Sequence, residues 1–218
     1  METATPAFGG RLTRWAGLGA ILYVILFIVG FIVAFHGEPS TKSAPAKLIA
    51  YYSRGSHRSS IHLGVFLILI GVFLFFWFLG ALRQTVRSLT GEGLLVVVTT
   101  VGGAVYGALT LAAFAVDDAI KTASNDTYHH QVSPQLIPVA DDAAYLLHSF
   151  GGVGAAAMMI ATSLACLQAR ALPRWLCWLS VAAGLSAIVS FLFIPWFVIA
   201  IWLIVAGVLV FRAQTSAV

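Results

Sequence analysis

Charge is what this sequence has least of. Of its 218 residues only 9% are charged and 60% are hydrophobic. Soluble domains carry roughly 25% charged residues, so a chain this poor in charge cannot cover itself against water, and lipid must take water's place. Cysteine is almost missing too: Cys166 and Cys177 are the 2 in the chain, and they form no CxxC pair. Both flank a predicted cytoplasmic turn, where thiols stay reduced, and read as small apolar residues near helix ends. No basic run interleaved with aromatics exists, which excludes a nucleic-acid partner. The excess of Lys+Arg 12 over Asp+Glu 8, a formal +4, is what short cytoplasmic loops of a membrane protein give.

Chemical motifs are equally scarce. There is no His-x-x-x-His or His-Glu-x-x-His on a helix, and His129 and His130 are adjacent, so they point different ways. There is no Gly-x-Ser-x-Gly elbow for a serine nucleophile. A hydrolase built on Ser149 or Ser60, and haem held by His62 and His148, both lack supporting spacing. We therefore assign no catalytic and no cofactor-binding residue. No charge lies in the middle of any apolar run, which counts against coupled ion transport.

What the sequence has in abundance is long apolar runs. About 20 such residues cross a bilayer, and the pattern predicts an all-α, polytopic bundle with six transmembrane spans, at about residues 15–36, 61–82, 94–116, 143–169, 175–193 and 196–212. Residues 1–14 and 213–218 read as tails of one six-helix domain, with Pro6, Gly9 and Gly10 arguing against order in the first. The run after Arg11 and Arg14 is too long for a cleavable signal. From Trp175 to Phe211 there is no charge, too long for one span, and Pro195 places a hairpin at Phe193–Trp196. In the first loop, Ser43, Pro45 and Gly55 frame an amphipathic segment with Leu48, Ile49, Tyr51 and Tyr52 on one face. In the third span Gly103 and Gly107 make a small-xxx-small pair, a face for close helix approach or oligomer contact. Asn125-Asp126-Thr127 is a formal glycosylation sequon, which matters only in a eukaryotic host.

Six spans put both termini on one side. Arg11, Arg14, Arg83, Arg87, Arg170, Arg174 and Arg212 gather there, against Lys42, Lys47, Arg54, Arg58 and Lys121 opposite. The positive-inside rule makes the terminal side cytoplasmic.

Three stretches carry a resemblance: Trp77-Phe78-Leu79-Gly80-Ala81-Leu82-Arg83, Ala50-Tyr51-Tyr52, and Leu172-Pro173-Arg174-Trp175-Leu176 with Trp178-Leu179. In these the chain resembles an uncharacterised group of actinobacterial integral membrane proteins. The resemblance implies a bacterial plasma-membrane protein of six helices, with a polar residue shortly before a tyrosine at the start of the fourth span. Asp142 and Tyr145 fit; Asp141 and His148 depart from it.

The densest ionisable stretch is Asp141–Gly152, where Asp141, Tyr145 and His148 fall at i, i+4 and i+7 on one helical face. The topology brings His36, His62, Asp117, Asp118, Asp142 and His148 to the face away from the termini. Histidines and carboxylates in reach of one another could hold a divalent metal or relay protons. Counting back from Arg170 places His148 at the interface and Asp141 and Asp142 outside it, in a polar collar roofed by the Lys47–Arg54 segment. Thr99, Thr100, Tyr106 and Thr110, with Ser180, Ser186 and Ser190, could line a polar path. The reading is a non-enzymatic assembly, sensing or envelope-associated protein, with a small-solute or ion transporter and a metal-dependent membrane enzyme as alternatives.

Overall fold

A computed structural model describes residues 7–40, 42–122 and 133–213. The expected tails at residues 1–6 and 214–218, the His129-His130 pair and the sequon lie outside the described residues. Every regular element within them is helical. The order is α1 (Ala7–Phe35), α2 (Pro45–Tyr52), α3 (Gly55–Thr90), α4 (Leu94–Thr122), α5 (Leu136–Gln168), α6 (Arg174–Ala187), a 3-10 turn at Ser190–Leu192, and α7 (Ile194–Ala213).

Five of these helices, α1, α3, α4, α5 and α7, are long and apolar enough to cross a membrane. Hydrocarbon cannot hydrogen-bond to a backbone, so a spanning segment must satisfy its own N–H and C=O groups, and an apolar run takes the α-helical form. The fifth expected span, residues 175–193, is divided. α6 has 14 residues, about 21 Å of helix at 1.5 Å per residue, against a hydrocarbon core of about 30 Å. The chain continues through the 3-10 turn to Phe193, whose φ of 66° lies in the left-handed region that a bulky residue seldom adopts. Pro195 then sits in the first turn of α7, where its missing N–H removes no helical bond. The bend therefore begins earlier than Phe193–Trp196.

Several helices outrun the apolar segments that identify them. α1 already includes residues 7–14, so half of the expected N-terminal tail is helix. α3 spans 36 residues, because His57, Arg58, Gln84 and Arg87 continue the helical period after hydropathy ends. Likewise α4 carries on through Asp117, Asp118 and Lys121, and α5 begins seven residues before 143, with Pro138 tolerated in its first turn. α2 is two turns long, opening at Pro45 after Ala44 rather than on a Ser43 cap, and Gly55 starts α3 instead of closing α2.

The closest-packed pairs are α4 with α5 and α1 with α3, and glycines set both approaches. A Cβ on Gly102 would stand 2.6 Å from the Gly154 carbonyl oxygen and 2.8 Å from the Met158 nitrogen. Gly30 and Gly64 meet in the same way, as do Gly17 of α1 and Gly207 of α7. Without a hydrophobic drive between helices in lipid, such backbone contact supplies dispersion energy that larger side chains would prevent. Gly103 and Gly107 face the chain's own Leu79, Met158 and Phe76. Phe75, Phe78, Ile68, Val72, Met158 and Leu203 fill the centre, while Phe66, Phe73, Trp77, Val97, Val101 and Phe197 stand exposed. So much exposed apolar surface on a helical bundle marks contact with lipid. The chain is a membrane protein by this architecture.

Arg14 lies over the Phe211 ring at 4.6 Å, so the start of α1 and the end of α7 share one end of the bundle. The opposite, distal end gathers the end of α1, all of α2, the start of α3, the end of α4 and the start of α5.

Candidate functional site: an ion cluster above a buried histidine

The distal end is organised by Lys121, which the sequence placed in a loop. Because α4 continues past the apolar run, Lys121 falls one turn after Asp117, and its side chain is only 1% exposed. Its ammonium Nζ lies 2.9 Å from Asp117 Oδ1, 2.7 Å from Glu38 Oε1 and 2.6 Å from Asp141 Oδ1. It also sits 4.7 Å from the centre of the Phe35 ring, a cation–π contact in a desolvated setting. Tyr52, fully buried, donates its hydroxyl to Glu38 Oε1. Burial and the neighbouring Glu38 carboxylate push the Tyr52 phenol well above its usual range, and burial with Glu38 raises Tyr51 as well. One ammonium thus holds together the α1–α2 loop, α4 and α5, and through Tyr52 it holds α2.

Removing an ammonium and three carboxylates from water is costly, and the cost is met only where each charge has close partners. Here one positive charge faces three carboxylates. Asp117 Oδ2 is buried with no hydrogen-bond partner among the described residues.

The six residues singled out from sequence are not brought together. His62 and Asp118 pair at 3.1 Å on the flank of α3 and α4, with the His62 side chain 47% exposed. Asp117 belongs to the Lys121 cluster. His36 and Asp142 are exposed; the His36 carbonyl accepts a hydrogen bond from the Tyr51 hydroxyl. Among the described residues no three His, Cys, Asp or Glu side chains are grouped as a metal would need.

His148 requires a correction. It is not part of an interfacial collar but is buried at 6% exposure. It lies seven residues below Asp141, as Thr110 lies seven below Asp117, and seven residues are about 10 Å of helix. Its Nδ1 is 3.2 Å from Thr110 Oγ1. The ring stacks on Phe27 at 5.4 Å and meets Trp196 edge-on at 4.5 Å. One turn deeper the Tyr23 and Tyr106 hydroxyls pair at 2.9 Å. Below them Phe75, Phe78, Leu79 and Met158 close the interior. The polar ladder therefore descends from the cluster to Tyr23–Tyr106 and stops.

The shared face of Asp141, Tyr145 and His148 holds, but each side chain finds its own partner. Asp141 meets Lys121, Tyr145 donates to the Phe191 carbonyl in the α6–α7 bend, and His148 meets Thr110. A scan of protein-family models gave no match to this chain, and neither curated proteins nor solved structures gave a similar one. The chemistry of the site rests on its own geometry.

Two cavities open to the lipid side. One, of about 220 Å³, is lined by His148, Tyr23, Tyr106, Phe27 and Trp196 among others. The other, of about 610 Å³, lies near the terminal end between α3, α5, α6 and α7, and includes Cys166 and Cys177. Within it Trp202 Nε1 donates to Ser180 Oγ at 2.6 Å and the Ser163 and Ser180 hydroxyls are 2.5 Å apart, while Thr162 Oγ1 is buried with no hydrogen-bond partner among the described residues. Both cysteines are free thiols.

Glu38, Lys121, Tyr52 and Trp196 were not singled out as site residues from sequence. The Asp117-x-x-x-Lys121 spacing was a usable signal, since i and i+4 share a helical face. Nothing in the sequence linked Glu38 to it.

Proposed function

We propose that the chain is a plasma-membrane protein of six crossings with both termini in the cytoplasm, akin to the actinobacterial group it resembles. We propose further that it acts as a non-enzymatic sensing or assembly protein of the envelope. The orientation rests on the Arg residues of the terminal side.

The observation that carries the functional reading is the Lys121 cluster. It ties the α1–α2 loop, α2, α4 and α5 through buried charge at one face, an arrangement suited to holding or releasing an external segment. Transport is the second reading, and the Thr110–His148 and Tyr23–Tyr106 ladder favours it. The packed layer of Phe75, Phe78, Leu79 and Met158 favours sensing over transport.

Flux separates the two. Purified protein in liposomes loaded with a pH-sensitive dye should pass protons and potassium no faster than protein-free liposomes. A flux well above that background, lost in Tyr106→Phe, would replace the sensing reading with transport. Orientation is read by labelling Ser56→Cys and Ser88→Cys, in a Cys166→Ala/Cys177→Ala background, with an impermeant maleimide on whole cells. Ser56→Cys should label and Ser88→Cys should not.

A further inference from the structure

The cavity of about 220 Å³ beside His148 contains two polar groups that the protein leaves unanswered. Thr110 Oγ1 lies 2.9 Å from the Tyr106 carbonyl oxygen. A carbonyl only accepts, so the hydroxyl's single proton is committed to it. The contact of Thr110 Oγ1 with His148 Nδ1 at 3.2 Å must then be supplied with a proton by the ring, and Nδ1 carries the N–H. That fixes Nε2 as the acceptor. Nε2 has no partner among the described residues, and His148 lines the cavity. The second group is Trp196 Nε1, a donor only, which is buried with no hydrogen-bond partner. Trp196 lines the same cavity, against the His148 ring.

A buried donor left without a partner is costly, and an acceptor on the cavity wall is free to take a proton from whatever enters. A hydroxyl answers both, since it donates one proton and accepts another. The walls define the rest of the ligand. Phe27 and Tyr106 offer ring faces and edges, and Ile28, Ile32 and Phe197 at the rim are exposed where the bundle meets lipid. Entry is from the bilayer, not from water. We propose that this crevice binds the hydroxylated aromatic head of a membrane-soluble phenol of the quinol class. The ring lies among the aromatic side chains, the hydroxyl between His148 and Trp196, and any apolar tail in the lipid. This goes beyond the sensing reading and stands or falls separately from it, because binding and flux are measured independently.

The test uses three probes of one ring system: 1-naphthol, 1-methoxynaphthalene and naphthalene. The full chain is placed in lipid nanodiscs, with empty nanodiscs as the partition blank, and binding is followed by calorimetry. 1-Naphthol should bind at least 10-fold more tightly than naphthalene, with 1-methoxynaphthalene, which accepts but cannot donate, much closer to naphthalene. His148→Phe should abolish the preference for the hydroxyl. Trp196→Phe, which keeps an aromatic wall, should reduce it. Equal binding of all three probes to the wild-type chain would overturn the proposal and leave an apolar crevice only. A hydroxyl preference that survives His148→Phe would overturn it as well.

Discussion

At the end of the bundle that holds the termini, Arg83 and Arg87 reach Glu92 across the turn between α3 and α4, with Arg87 Nε at 2.8 Å, and all three side chains are half exposed or more. At the distal end Lys121 reaches Glu38, Asp117 and Asp141 at similar distances with 1% of its side chain exposed. The Arg87 separation matches those of Lys121, while Arg83 stands farther off at 3.8 Å, and the surroundings differ throughout. Water and salt screen the first set, so its contribution is about 0–1 kcal/mol. The second set is desolvated and joins segments far apart in sequence, so each member depends on the others. The terminal end closes a tight turn, which Gly91 at φ 73° already permits. At the distal end buried charge joins the α1–α2 loop, α4 and α5.

The comparison breaks most directly at Lys121. Lys121→Met strands Asp117 in a buried site and should cost about 3–5 kcal/mol, read as a lower midpoint in denaturant titration of the protein in detergent. The double variant Asp117→Leu/Lys121→Met should recover part of that loss, since an apolar pair replaces a buried ion pair without leaving either charge alone. If the double is no better than the single, the loss comes from packing rather than from the stranded carboxylate.

A smaller effect is expected from Tyr52→Phe, which removes the hydroxyl donated to Glu38. Bonds to charged groups contribute about 1.5–3 kcal/mol. The same residue gives the distal end a pH dependence. Tyr52 is raised in the folded state, so its contribution is complete below the ordinary phenol value near 10 and is lost as pH rises above it. Wild-type stability should fall above about pH 10, and Tyr52→Phe should fall less steeply.

The smallest effect belongs to the other end. Glu92→Gln should change stability by less than about 1 kcal/mol, and 0.5 M salt should erase the difference, given a Debye length of about 10 Å at 0.1 M that shortens further with added salt. The Lys121→Met deficit should persist in the same salt. If both differences vanish together, the two ends are alike and the contrast is mistaken.

Much of the architecture was legible in the residues. The apolar runs marked α1, α3, α4, α5 and α7, because an uncharged run of that length has few stable forms other than a helix in lipid. The α6–α7 region was legible only as a charge-free stretch with a break, since hydropathy cannot locate a bend made by a 3-10 turn and a left-handed Phe193. The candidate site was less legible. Hydropathy stops at the first charge, but helical hydrogen bonding does not, so Lys121 was assigned to a loop one turn after the helix was thought to end. His148 was assigned to the interface from the same kind of count. The α6–α7 bend, with Trp196, covers it instead.

The sequence by itself determined that this is an all-helical membrane protein, because that follows from the length and composition of its apolar runs. The tertiary structure decided which charges are buried. Glu38, Asp117, Lys121 and Asp141 become one cluster only when the ends of three helices converge, and His148 and Trp196 become one site only when the α6–α7 bend folds over α5. Burial is a property of neighbours, and no residue carries its neighbours in its own sequence position.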